Sequence, residues 1–148
     1  MKSSVVQFVF FVLVIVVGAA LEDMLSLFAV VGLPILLGVS LFAAFAADAP
    51  MWILVALGAG AMEEAVASLP PATAIVFFVA VSLMARFFRE PLVWAAVTYP
   101  AYQVWLGLII GGPDVFGRFL ASIPVGMVAL ALSFAALLRI WRKAGADA

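Results

Sequence analysis

Long apolar runs alternate along this chain with short charged or proline-bearing breaks, and run length decides what they are. Val5 to Leu21 is the first run, closed by Glu22 and Asp23. A second extends from about Leu25 to Ala47, contains Pro34 and stops at Asp48-Ala49-Pro50. The third, Met51 to Leu69, contains Glu63 and Glu64 and ends at Pro70-Pro71. The remaining three are Ala72 to Phe88, Leu92 to Ile110 and about Phe119 to Ile140. Each approaches the roughly 20 apolar residues that carry a helix across a bilayer. None shows the alternating ten-residue pattern of a membrane barrel strand. The predicted fold is all-α: one polytopic membrane bundle of six transmembrane helices, occupying the whole of residues 1–148.

The breaks also set orientation. With the amino terminus in the cytoplasm, Lys2, Arg86, Arg89, Arg139, Arg142 and Lys143 fall inside and Arg118 alone falls outside, as the positive-inside bias requires. Both termini are then cytoplasmic, and Glu22, Asp23 and Asp114 lie at the outer edge. Lys2, the first apolar run and Gly18-Ala19-Ala20 also describe a cleavable secretory signal, so residues 1–20 carry two readings. Short loops make consecutive helices antiparallel neighbours. The third is rich in small residues, with Ala56, Gly60, Glu64 and Ser68 at i, i+4 spacing on one face, and is expected in the bundle interior. Trp52, Trp94, Tyr99, Tyr102, Trp105 and Trp141 read as headgroup-level anchors. Pro34, Pro100 and Pro124 fall within the second, fifth and sixth runs, where they free backbone carbonyls.

Composition sharpens the picture by exclusion. Hydrophobic residues make up 69% of the chain and charged residues 10%, against about 45–50% and 25% in soluble domains. A formal net charge of −1 gives no electrostatic footprint for nucleic acid. There is no His and no Cys, which removes the usual metal, haem and iron–sulfur ligands and the common nucleophile–base pairs. No cofactor, metal site or catalytic set is expected; the surrounding partner is membrane lipid.

Glu63 and Glu64 are the strongest candidates for a site, because an ionised carboxylate in hydrocarbon costs several kcal/mol (about 2.5 to over 10) unless something compensates it. They read as a protonatable pair, a cation site or a polar contact to a partner, or as headgroup-level residues of a helix that ends early before Pro70. Gly60 and Ser68 share the face of Glu64. Arg118 is a candidate counter-ion, with Asp114 nearer to it in sequence. Glu22 and the other carboxylates are placed at membrane edges or in tails, and Arg86 is read as a snorkelling residue.

Pro34 followed by Ile35-Leu36-Leu37, the turn Asp48-Ala49-Pro50, the Gly/Ala-rich stretch from Gly58 through Glu63-Glu64 to Pro70, and a closing apolar helix before Arg139, Arg142 and Lys143 together resemble the MreD family of rod-shape-determining membrane proteins. That family usually has Asp near the end of its third span, where this chain has Glu63 or Glu64, and a Gly-rich turn in place of Ser68-Leu69-Pro70-Pro71. The resemblance implies a non-enzymatic scaffold in the bacterial inner membrane. Its partners would be an MreC-like membrane protein and other proteins of the cell-elongation machinery that guides peptidoglycan synthesis. It also implies a bundle similar to the substrate-binding subunits of energy-coupling-factor transporters. The alternative function is a small transport component, a substrate-binding subunit or proton-coupled carrier, that uses Glu63 and Glu64.

Overall fold

The structure, a computed structural model, describes residues 3–26, 34–111 and 113–146; the side chains of residues 26, 113–116, 118–120 and 146 lie outside the described set. It is all-helical: α1 (Ser4–Ser26), α2 (Ile35–Ala46), α3 (Met51–Val66), α4 (Thr73–Phe87), α5 (Pro91–Ile110) and α6 (Pro113–Ala146), with no strand among the described residues. Among the described residues three segments are long and apolar enough to cross a membrane: Ser4–Leu25, Pro91–Ile110 and Ala121–Gly145. The expectation of six spanning helices is therefore met only in part. α2, α3 and α4 have 12, 16 and 15 residues, short of about 20; at α3 and α4 caps and turns claim the ends of the apolar runs.

Those ends have local causes. The second run is interrupted at Pro34, so α2 begins at Ile35 and Pro34 lies before the helix, where its missing N–H costs nothing; Pro100 and Pro124 do lie inside α5 and α6. Ser68 adopts a left-handed φ of 52°, and the Leu69 N–H donates to the Glu64 carbonyl at 3.0 Å. This is the closing bond of a Schellman turn, after which Pro70 cannot continue the helix. Pro91 opens α5 at its first turn, where proline is pre-organised. Residues 27–33, part of the second predicted run, lie outside the described residues.

The bundle centre is α2, a correction to the interior place expected for α3. Nine consecutive α2 residues from Leu36 to Ala44 are buried, and α2 packs against α1, α3, α4 and α6. α3 buries Val55, Ala56, Ala59 and Gly60, while Ile53, Leu54 and Leu57 on its other side are exposed. The small residues do what their size suggests: a Cβ on Gly60 would lie 2.7 Å from the Ile75 Cα of α4. Likewise a Cβ on Gly126 of α6 would fall inside the Tyr99 ring of α5.

The aromatic residues are placed less at the membrane edge than expected. Tyr99 and Tyr102 are buried at 1% and 3% exposure. Trp52 is buried, and Trp141 packs edge-on against Phe10 and Phe42. In α5 the indole of Trp105 donates to the Thr73 carbonyl at 2.9 Å, and that of Trp94 to the Phe88 carbonyl. Their rings fill the bundle because wide gaps beside small residues need large side chains.

Candidate functional site

The two ends of the bundle differ in chemistry. At one end Arg86 donates to the Ala44 and Ala47 carbonyls at 3.1 and 2.9 Å, and Arg89 to the Phe45 carbonyl at 3.1 Å. These are carbonyls at the α2 carboxyl terminus, where a cation also meets the negative end of the helix dipole. Arg86 is thus half-buried and tied to α2, a correction to its reading as a snorkelling residue. At the same end Gln7 of α1 donates to Asp48 at 2.9 Å.

The opposite end holds Glu22, Glu63 and Glu64, and there the candidate pair divides. Glu64 Oε2 accepts the Ala72 N–H at 3.1 Å and Oε1 the Ile75 N–H at 3.0 Å. Its carboxylate caps α4, satisfying orphan amides at a helix amino terminus where the dipole favours negative charge. Glu63 turns inward instead, accepting from the Tyr102 hydroxyl of α5 at 3.1 Å. The second Glu63 oxygen is buried without a donor from the described residues, and the Glu22 carboxyl lies close enough to interact with it electrostatically.

Glu22 is the residue that sequence reasoning missed. The apolar run stops at Leu21, so Glu22 was expected at the outer edge, yet α1 continues to Ser26 and holds Glu22 at 5% exposure. Its Oε1 accepts the Leu36 N–H at 2.7 Å, an unpaired amide in the first turn of α2. The available signal was that an ionisable residue one turn beyond Gly18 continues the buried face of the same helix. Tyr102 was missed for a related reason, having been counted among the membrane-edge aromatics.

One polar cluster therefore links α1, α2, α3 and α5 through Glu22, Leu36, Glu63 and Tyr102. Beside it Tyr99 and Ser122 hydroxyls lie 3.3 Å apart, and buried Thr98 and Gln103 each keep one oxygen without a hydrogen-bond partner among the described residues. Of the remaining candidates, Gly60 lies at the α3–α4 contact and Ser68 is the exposed left-handed residue closing α3. Arg118 lies on α6, whose start at Pro113 precedes the expected one, and its side chain is outside the described residues. Among the described residues no three His, Cys, Asp or Glu side chains are grouped to hold a metal ion. The cluster holds helix ends together. No known family, curated protein or solved structure matches this sequence.

Proposed function

We propose that this chain is a non-enzymatic integral membrane scaffold subunit of the bacterial cell-elongation complex, lying in the inner membrane with six crossing helices and both termini cytoplasmic. The reading rests on the resemblance to MreD proteins and on one structural observation: the side chains able to do chemistry are engaged in joining helices. Glu64 caps α4, Glu22 caps α2, Tyr102 ties α5 to Glu63, and Arg86 binds the end of α2. A catalyst would hold such groups toward an accessible substrate; here they stiffen a platform. One stretch among those that carry the resemblance, Gly58 to Pro70, is the second half of α3 and its closing turn, where Gly60 and Glu64 meet Ile75. An MreC-like membrane protein is the expected partner.

The buried Glu22–Glu63–Tyr102 cluster favours a second reading, a proton-coupled or substrate-binding transport subunit. Affinity purification from native bacterial membranes distinguishes the two. Co-purification of cell-wall synthesis proteins, retained in a Glu63→Gln variant, is the result expected of the scaffold. Saturable uptake of a small molecule that Glu63→Gln abolishes, with no such proteins captured, would overturn it.

A further inference from the structure

α3 and α4 stand side by side, and they are the two shortest of the helices that surround α2. At 1.5 Å per residue their 16 and 15 residues rise about 24 and 22 Å, against about 34 Å for the 23 residues of α1 and about 30 Å for the 20 of α5. The exposed large apolar side chains divide in the same way. They run from Val5 to Met24 on α1, about 28 Å, and from Leu92 to Ile110 on α5, about 27 Å, but only from Val76 to Phe87 on α4, about 16 Å. On α3 they are confined to Ile53, Leu54 and Leu57.

Both ends of this short wall are fixed by polar groups that cannot move outward. The connections Asp48-Ala49-Pro50, Ser68-Leu69-Pro70-Pro71-Ala72 and Phe88-Arg89-Glu90 are non-helical and mostly exposed. Such backbone is not tolerated against lipid tails, where its N–H and C=O groups would find no partner. The charged side chains at these ends are already engaged: Glu64 with the Ala72 and Ile75 amides, Arg86 with the Ala44 and Ala47 carbonyls, Arg89 with the Phe45 carbonyl. They are not free to snorkel to a more distant headgroup layer. Tilting brings no relief, since it shortens the reach of a helix across the bilayer.

We propose that the bilayer thins against the α3–α4 wall, which therefore selects short-chain lipids, while α1, α5 and α6 meet a hydrocarbon layer of ordinary thickness. This thinning presupposes the six-crossing arrangement proposed above. About 22–24 Å of helix then faces a hydrocarbon core of about 30 Å, a mismatch of about 6–8 Å that the lipid must absorb. Lipid is the occupant because the large side chains that the wall exposes between its turns, Ile53, Leu54, Leu57, Val76, Leu83 and Met84, are all apolar.

The chain has no Cys, so single cysteines test the wall in the full-length protein. Ala80→Cys on α4 and Leu132→Cys on α6 occupy exposed positions near the middle of their spanning stretches. Each is labelled with a fluorescent maleimide and reconstituted in dioleoyl phosphatidylcholine containing dibrominated phosphatidylcholine with either myristoleoyl or erucoyl chains. Relative to the Leu132 label, the Ala80 label should be quenched about twofold more strongly by the short-chain lipid than by the long-chain one. In the expressing cells, a membrane-impermeant maleimide should reach Ser68→Cys in intact spheroplasts and Ala49→Cys only after lysis. Opposite sides with no chain-length preference at Ala80 would overturn the thinning alone. Labelling of both from the same side would overturn the crossing of α3 and the thinning with it. An Ala80 label that neither lipid quenches, with normal quenching at Leu132, would also overturn the proposal, since a second copy or another protein would then cover the wall.

Discussion

Gly58 and Gly60 lie one helical step either side of Ala59 in α3, and adding a single methyl group at each should move stability in opposite directions. In a helix interior Gly→Ala by itself gains about 1 kcal/mol from backbone entropy and helix propensity. At Gly58 a Cβ would meet the tip of Ile15 at 3.5 Å, an ordinary contact, so that gain should survive as about 0.5–1 kcal/mol of stabilisation. At Gly60 the same atom would lie 2.7 Å from the Ile75 Cα and 3.0 Å from its nitrogen. Backbone cannot rotate away, so α3 and α4 must part by about 0.7 Å, and a gap of that size forfeits a quarter to a half of each dispersion contact it opens. Overpacking of this kind costs about 1–3 kcal/mol. Parting the helices also stretches the 3.0 Å bond from the Ile75 N–H to Glu64, which is worth about 1.5–3 kcal/mol with a charged acceptor. Gly60→Ala should therefore lose about 1–2 kcal/mol net, and Gly60→Leu more. Thermal unfolding of the purified chain in detergent reads both variants against the parent. A Gly60→Ala protein as stable as Gly58→Ala would mean that α3 and α4 do not pack backbone to backbone, and the account of why the third run is rich in small residues would fail.

Glu63→Gln should leave abundance and unfolding temperature near the parent's, since the Gln oxygen can still accept from Tyr102 and its amide can donate toward the neighbouring Glu22 carboxyl. Glu64→Gln should lose about 1 kcal/mol, because both Glu64 oxygens accept backbone amides and a carboxamide has only one oxygen; equal effects at the two positions in the same melt would refute the division of labour. Tyr102→Phe removes the donor to Glu63 and should cost about 1–3 kcal/mol, rescued in part by combining it with Glu63→Leu, whereas additive losses in that double variant would contradict the bond. Reporter fusions at Ala148 and Gly112 should report opposite sides of the membrane; a carboxyl terminus found outside would reverse the assignment that puts six of the seven basic residues in the cytoplasm.

Helix number, order and class were legible in the sequence, because apolar run length and punctuation by Pro and charge act locally: each break at Glu90-Pro91 or Ser68-Leu69-Pro70 ends or starts a helix through its own backbone chemistry. That Gly60 needs to be small was legible for the same kind of reason. Which helix is central, and which carboxylate turns inward, was decided only in three dimensions. A mostly apolar α2 and a mostly apolar α1 look alike in one dimension, since lipid and protein interior reward the same side chains, and only the packing of α1, α3, α4 and α6 around α2 separates them. Glu22 looked like a helix end because it follows seventeen positions that are all apolar or small except Gln7, with no local signal for what it would meet. Its role follows from the Leu36 amide and the Glu63 carboxyl brought to it from 14 and 41 residues away, and a buried carboxyl is tolerable only where such partners arrive together.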